Sequence, residues 1–268
     1  MFAIEGLLGG SAGGGGFGTS ALTEFKRVEA RRDFYEKVFD KLPAAKRDVA
    51  YFNDKFPKLK SPDDLLKDRR LTEFVLGSFQ LESEIDKKAI LKKALTEDPA
   101  DNASLVNKLR DPRWRQFADA LRFLTTNPAK AKDEGVAKSL IAGWRLNGFE
   151  KWQGETSGPA VREALYFKRS IGNIKTIWQA IANPTIAKVL RVGVGQPDAF
   201  AALDADQQHA RLSKLVKLED FKDPKKTAQF LQRFLVNSDR AAAGSGADPS
   251  VTMMQSIAAN MRGVNVLV

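Results

Sequence analysis

Seven of the chain's eleven prolines directly follow a serine, aspartate or asparagine. The pairs are Ser61-Pro62, Asp98-Pro99, Asp111-Pro112, Asn127-Pro128, Asn183-Pro184, Asp223-Pro224 and Asp248-Pro249. A short polar side chain can accept a hydrogen bond from the free amides of a first helical turn. A proline beside it forfeits no bond there and presets the backbone angle. The pairs therefore predict helix starts along the whole chain of 268 residues.

The apolar spacing points the same way. Trp114, Phe117, Ala118, Leu121 and Leu124 recur at three and four residues, as do Leu71, Phe74, Val75 and Ser78, and again Thr227, Phe230, Leu231 and Leu235. Leu22, Phe25, Val28, Tyr35, Val38 and Phe39 line one long first helix. Strand-like alternation is confined to Val192-Gly193-Val194 and the last five residues. The expected fold class is all-α and multihelical, with about a dozen helices joined by short turns.

The two halves also match. Arg47-Asp48-Val49-Ala50-Tyr51-Phe52 aligns with Arg162-Glu163-Ala164-Leu165-Tyr166-Phe167 at a shift of 115 (166 minus 51). The same shift pairs Leu59 with Ile174, Leu66 with Ile181, Leu71 with Ile186, and Phe74-Val75 with Val189-Leu190. An ordered series of this kind predicts two diverged repeats of a helical-bundle unit. The organisation follows: a glycine-rich leader over 1–19, repeat one over 20–126, repeat two over 127–240, and a linker with a short terminal helix over 241–268.

Composition narrows the chemistry. With no cysteine there is no disulfide, thiolate metal site or cysteine nucleophile, and the lone histidine, His209, cannot build an imidazole metal cluster. In Asp206-Gln207-Gln208-His209-Ala210-Arg211 it falls on an exposed polar helix face. Gly13, Gly15 and Gly18 satisfy the spacing of a dinucleotide loop but follow no strand, and the lysine of a phosphate loop is missing beside Thr19-Ser20. The acid pairs Asp63-Asp64, Glu82 with Glu84, and Glu219-Asp220 read as solvated faces, the first favouring a helix N-terminus. No catalytic residue, cofactor or metal is expected. The net charge of +10 is spread out, with acids interleaved among the bases, so a basic nucleic-acid-binding helical module stands only as the alternative reading. No apolar stretch reaches the roughly 18 residues of a membrane span, and the start of the chain lacks the basic head of a cleavable signal peptide.

Two stretches carry a family resemblance. One is Phe149-Glu150, Gly154 and Arg162-Glu163-Ala164-Leu165-Tyr166-Phe167-Lys168-Arg169; the other is Asp68-Arg69-Arg70-Leu71 with Phe79, continuing to Leu109-Arg110-Asp111-Pro112-Arg113-Trp114. On these residues the chain resembles the bacterial family known as domain of unknown function 1217, over about residues 25 to 237. An aromatic-glycine pair usual in that family is replaced by Leu121-Arg122-Phe123-Leu124. The resemblance implies a helical, duplicated fold and a link to flagellar genes, and it carries no known active site.

The expectation for function is a non-enzymatic flagellum-associated structural or accessory protein acting through helix-mediated contacts with other flagellar proteins. It would reside in the cytoplasm or on the flagellum. In the terminal segment, Met254, Ile257, Ala258 and Met261 share one helical face and form the expected partner-binding residues.

Overall fold

The computed structural model describes residues 19–245, with side chains described to residue 243. The expected partner-binding face of Met254, Ile257, Ala258 and Met261 and the glycine run Gly13 to Gly16 lie outside the described residues. Within them the chain is all-α: α1 (Ala21–Ala30), α2 (Arg32–Lys41), α3 (Pro43–Lys55), α4 (Pro62–Lys67), α5 (Arg69–Gly77), α6 (Lys88–Thr96), α7 (Leu105–Lys108), α8 (Pro112–Leu121), α9 (Phe123–Thr126), α10 (Glu134–Ser157), α11 (Pro159–Ser170), α12 (Ile177–Ala182), α13 (Pro184–Gly193), α14 (Ala205–Leu215) and α15 (Pro224–Ser245). Short 3-10 segments, among them Phe56–Lys58, Pro128–Lys132 and Ile171–Asn173, join several of these. No strand occurs among the described residues, and Val192 and Gly193 belong to α13.

The polar-proline pairs behave as capping chemistry requires at four sites. Ser61, Asp111, Asn183 and Asp223 accept from Asp64 N (3.2 Å), Arg113 N (3.0 Å), Ile186 N (3.1 Å) and Lys225 N (2.8 Å), at the starts of α4, α8, α13 and α15. Two pairs do something else. Asp98 accepts from Ala100 N at 2.8 Å and closes a tight turn, and Asn127-Pro128 opens only a 3-10 segment without a side-chain cap. The single long first helix also divides. Arg31 leaves helical geometry at φ −124° and ψ 29°, so α1 and α2 are separate helices.

Three apolar clusters fill the interior. The first gathers Phe52, Phe56, Phe74, Phe117 and their neighbours from α3 to α9, and is closed by Leu140 of α10. The second gathers Phe167, Ile186, Leu190, Phe230 and Phe234 from α11 to α15, and is closed by Leu22 and Phe25 of α1. Between them Val28, Tyr35 and Phe39 meet Phe149, Val161 and Leu165. The packing thus crosses the boundary expected at 126/127: α1 serves the later core, while the first half of α10 serves the earlier one.

The 115-residue shift recurs in the fold. Phe56–Lys58 and α4 are displaced onto Ile171–Asn173 and α12 without a gap, and α5 onto the start of α13. Tyr51 donates to Asp68 at 2.8 Å, and at the matching positions Asn183 donates to Tyr166 at 2.5 Å. Asp68 and Asn183 each cap the helix that follows. Past those helices Gln80 and Gly195 both take positive φ, 58° and 74°. There Leu81 N bonds Leu76 O and Gln196 N bonds Arg191 O, both at 2.9 Å.

Candidate functional site

Among the described residues a cleft of about 530 Å³ lies where the corner between α2 and α3 crosses α5 and α10, a volume in the ordinary range for ligand pockets. Its floor is aromatic. Phe74 of α5 stacks on Trp144 of α10 at 4.6 Å and 11°. Phe39 of α2 lies 6.1 Å from Trp144 and 6.2 Å from Trp152. Gly148 makes that approach possible, since a β-carbon there would stand 2.7 Å from the Phe39 ring. Trp144 and Trp152 remain only half-buried.

The rim is charged. Arg70 pairs with Asp48 at 2.8 Å and spreads over the Tyr51 ring at 4.2 Å. Lys151 pairs with Glu82 at 2.5 Å. The Tyr51 phenol has its pKa raised, chiefly by its hydrogen bond to Asp68 and secondarily by desolvation. Asn147, 2% exposed, also lines the cleft. Its amide nitrogen donates to Gly77 O at 3.0 Å and to the Glu82 carboxylate, while its Oδ1 is buried without a donor. A buried acceptor of this kind costs stability unless a donor reaches it.

Several residues of the family resemblance meet in a second, largely buried polar network. Glu150 is 1% exposed and accepts from Arg169 Nε at 2.7 Å, from Arg169 Nη2 at 2.9 Å and from Gln80 Nε2 at 2.9 Å. The Gln80 carbonyl accepts from Arg113 at 2.6 Å, and Arg113 forks onto Asp111. Burial opposes the charge of Arg113 and of Arg169, but Asp111 and Glu150 respectively outweigh it, and both guanidinium pKa values are raised. Gly154 belongs to the same region: a β-carbon would lie 3.1 Å from Arg162, so its absence lets α10 and α11 approach. The network ties α8, α10 and α11 to the turn after α5, beside a small cavity of about 80 Å³.

His209 departs from the expected exposed position. It is half-buried, its ring stacks on Trp178 at 4.1 Å and 10°, and Arg110 lies 4.0 Å from the same indole. The acid pairs are dispersed: Asp63 meets Lys92 at 3.0 Å, Glu84 meets Lys87 at 2.7 Å and Asp220 meets Lys226 at 2.5 Å. Among the described residues no three His, Cys, Asp or Glu side chains form a metal-sized group, and no helix is long and apolar enough to cross a membrane. The cleft residues escaped sequence reading, although a signal existed. Trp144, Asn147, Lys151 and Glu155 follow at three and four residues, a helical face that mixes a large aromatic with polar heads.

Fold and cleft define a multihelical protein with an aromatic-floored, charge-rimmed cleft. The family described as "protein of unknown function (DUF1217)" matches residues 78–227, more than half of the chain, and the chain belongs to that family. Among solved structures it is similar to an Agrobacterium tumefaciens protein determined by X-ray crystallography in a structural genomics programme. The two share 27% identity and a TM-score of 0.70 over 85% of this chain and 98% of that one. No match was found among curated proteins.

Proposed function

We propose that the protein is a non-enzymatic accessory of the bacterial flagellum, working through contacts with other proteins in the cytoplasm or on the flagellum. The flagellar context comes from the gene association implied by the family resemblance. The observation that carries the binding role is the open cleft on α10, where two half-buried tryptophans line a charged rim; exposed indole surface of this kind suits recognition of a partner. The terminal residues Met254, Ile257, Ala258 and Met261 supply a second contact in this proposal. We also take the recurrence of caps and turns at 115 residues as the trace of a duplicated unit.

Deletion of the gene is expected to reduce swimming or alter the filaments, scored by soft-agar spreading and electron microscopy. Normal motility with normal filaments would overturn the flagellar reading. Affinity capture from motile cells, with and without residues 248–268, tests the terminal contact: flagellar proteins should be recovered by the full chain and depleted with the shortened one. A DNA mobility shift at low salt serves as the control for the nucleic-acid alternative, because phosphate contacts would give binding that weakens steeply with salt.

A further inference from the structure

We propose that the cleft between α3, α5 and α10 is a receptor for a guanidinium group, presented by an arginine side chain of a partner protein. This rests on the reading of the molecule as a protein-binding accessory and names the chemistry that the cleft selects.

Charge supplies the first argument. The chain carries +10 overall, yet four of the six charged residues lining the cleft are acids: Asp48, Glu73, Glu82 and Glu155 against Arg70 and Lys151. The two bases are already neutralised by Asp48 and Glu82. Glu73 and Glu155 have no ion-pair partner within 4.0 Å among the described residues and stand exposed at the rim. Glu73 feels the charge of Arg69, but the cleft still sets four acids against two bases, a surplus complementary to a cation and not to an anion.

The floor selects the kind of cation. The half-buried faces of Trp144 and Trp152 favour a delocalised, weakly hydrated cation that stacks, and a guanidinium also forks onto carboxylates as an ammonium does not. The cleft already treats one guanidinium in this manner, since Arg70 lies over Tyr51 at 4.2 Å while bonding Asp48 at 2.8 Å.

The matching positions in the other half show what the feature requires. At a shift of 115, Arg70 and Glu73 become Thr185 and Lys188, and Lys188 is tied to Glu163 at 2.5 Å. Trp144, Asn147 and Trp152 correspond to Glu29, Arg32 and Lys37. The aromatic floor and these acids are therefore confined to one side of the molecule, as a site would be.

The test uses the full chain labelled with nitrogen-15 and titrated with acetyl-Gly-Arg-Gly-amide, its citrulline counterpart and its lysine counterpart, reading the indole signals of the tryptophans by NMR. The arginine peptide should shift two of the four indole signals, lost in turn in Trp144→Phe and Trp152→Phe, and saturate. The citrulline peptide, with the same shape and no charge, should bind at least about tenfold more weakly. Glu73→Gln combined with Glu155→Gln, both at the exposed rim, should weaken the arginine peptide by about the same factor while leaving the amide spectrum folded. Equal binding of arginine and citrulline, an unaltered affinity in the double variant, or no saturable shift would overturn the proposal. Binding of the lysine peptide as tight as that of the arginine peptide would also overturn it, by assigning the cleft to an ammonium group. Normal motility in a deletion strain would sink the flagellar reading while leaving a positive titration intact, so the two failures are distinguishable.

Discussion

Glu150 shows what a single residue contributes to this molecule. Its carboxylate is buried and holds the Arg169 fork and the Gln80 amide together. Deleting one partner of such a pair strands the other charge in a poorly solvated place. Glu150→Ala should therefore cost about 3–5 kcal/mol in urea unfolding, and Glu150→Met combined with Arg169→Met should recover most of that loss. A loss below about 1 kcal/mol in the single variant would mean that water reaches Arg169 freely. Asp98 sits at the other extreme, exposed, with its carboxyl pKa lowered chiefly by the Ala100 amide, opposed by desolvation and assisted by Arg122. A carboxyl with a lowered folded pKa adds stability above its unfolded pKa and loses it as pH falls through the folded value. Asp98→Asn keeps the oxygen that accepts from Ala100 and removes only the charge. The stability gap to wild type should be present near pH 7 and close below the ordinary carboxylate range of about 4; a gap unchanged at acid pH would exclude the charge as its source. Asp98 stands out in the sequence beside Pro99, whereas the Glu150 site does not. Nothing in the spacing of Glu150 and Arg169 places them together against Gln80, which lies 70 residues before Glu150.

At the scale of elements, local chemistry was legible and tertiary exchange was not. Ser61, Asp111, Asn183 and Asp223 announced helix starts because a cap is decided within three residues. The faces of α5, α8 and α15 were readable because Leu71, Phe117 and Phe230 recur at helical spacing and are buried. The break at Arg31 was not readable, since the apolar series from Leu22 to Phe39 runs through it; the turn there depends on what α1 and α2 pack against. The cleft was missed similarly, because half-buried Trp144 and Trp152 look like core residues until α2 crosses over them. The least legible feature is the destination of α1. Phe25 and Leu140 stand at matching positions (140 minus 25 is 115), yet Phe25 closes the later core and Leu140 the earlier one. The N-terminus of α1 is tied to α15, where Asp239 accepts from Ala21 N at 3.1 and 3.0 Å. Phe25→Ala should thus destabilise the protein by about 2–3 kcal/mol, less than a fully buried phenylalanine because the ring is only partly covered. Hydrogen exchange should accelerate first in α11, α13 and α15. Faster exchange confined to α3, α5 and α6 would contradict the placement of α1.

For the whole molecule, that exchange decides how many folding units there are. Two adjacent bundles would each keep their own first helix and could be separated at 126/127. Here residues 20–126 contain α1, whose apolar face fits the later core, and lack α10, whose Leu140, Ile141 and Trp144 close the earlier one. Residues 127–243 suffer the converse defect. The middle cluster, where Tyr35 and Phe39 meet Phe149 and Leu165, belongs to neither segment alone, and the polar joint through Glu150, Gln80 and Arg113 spans the cut as well. Each fragment would expose several large apolar side chains at about 1.5–3 kcal/mol apiece, a burden comparable with the whole stability of a domain of that size. Each fragment alone should accordingly give no cooperative urea transition and poorly dispersed amide signals. Mixed in equal amounts, they should form a one-to-one complex that regains helical circular dichroism, while the intact chain unfolds in a single step. A sharp independent transition from either fragment would show that its core is complete without the borrowed helix, and the interlocked arrangement would then play no part in holding the protein together.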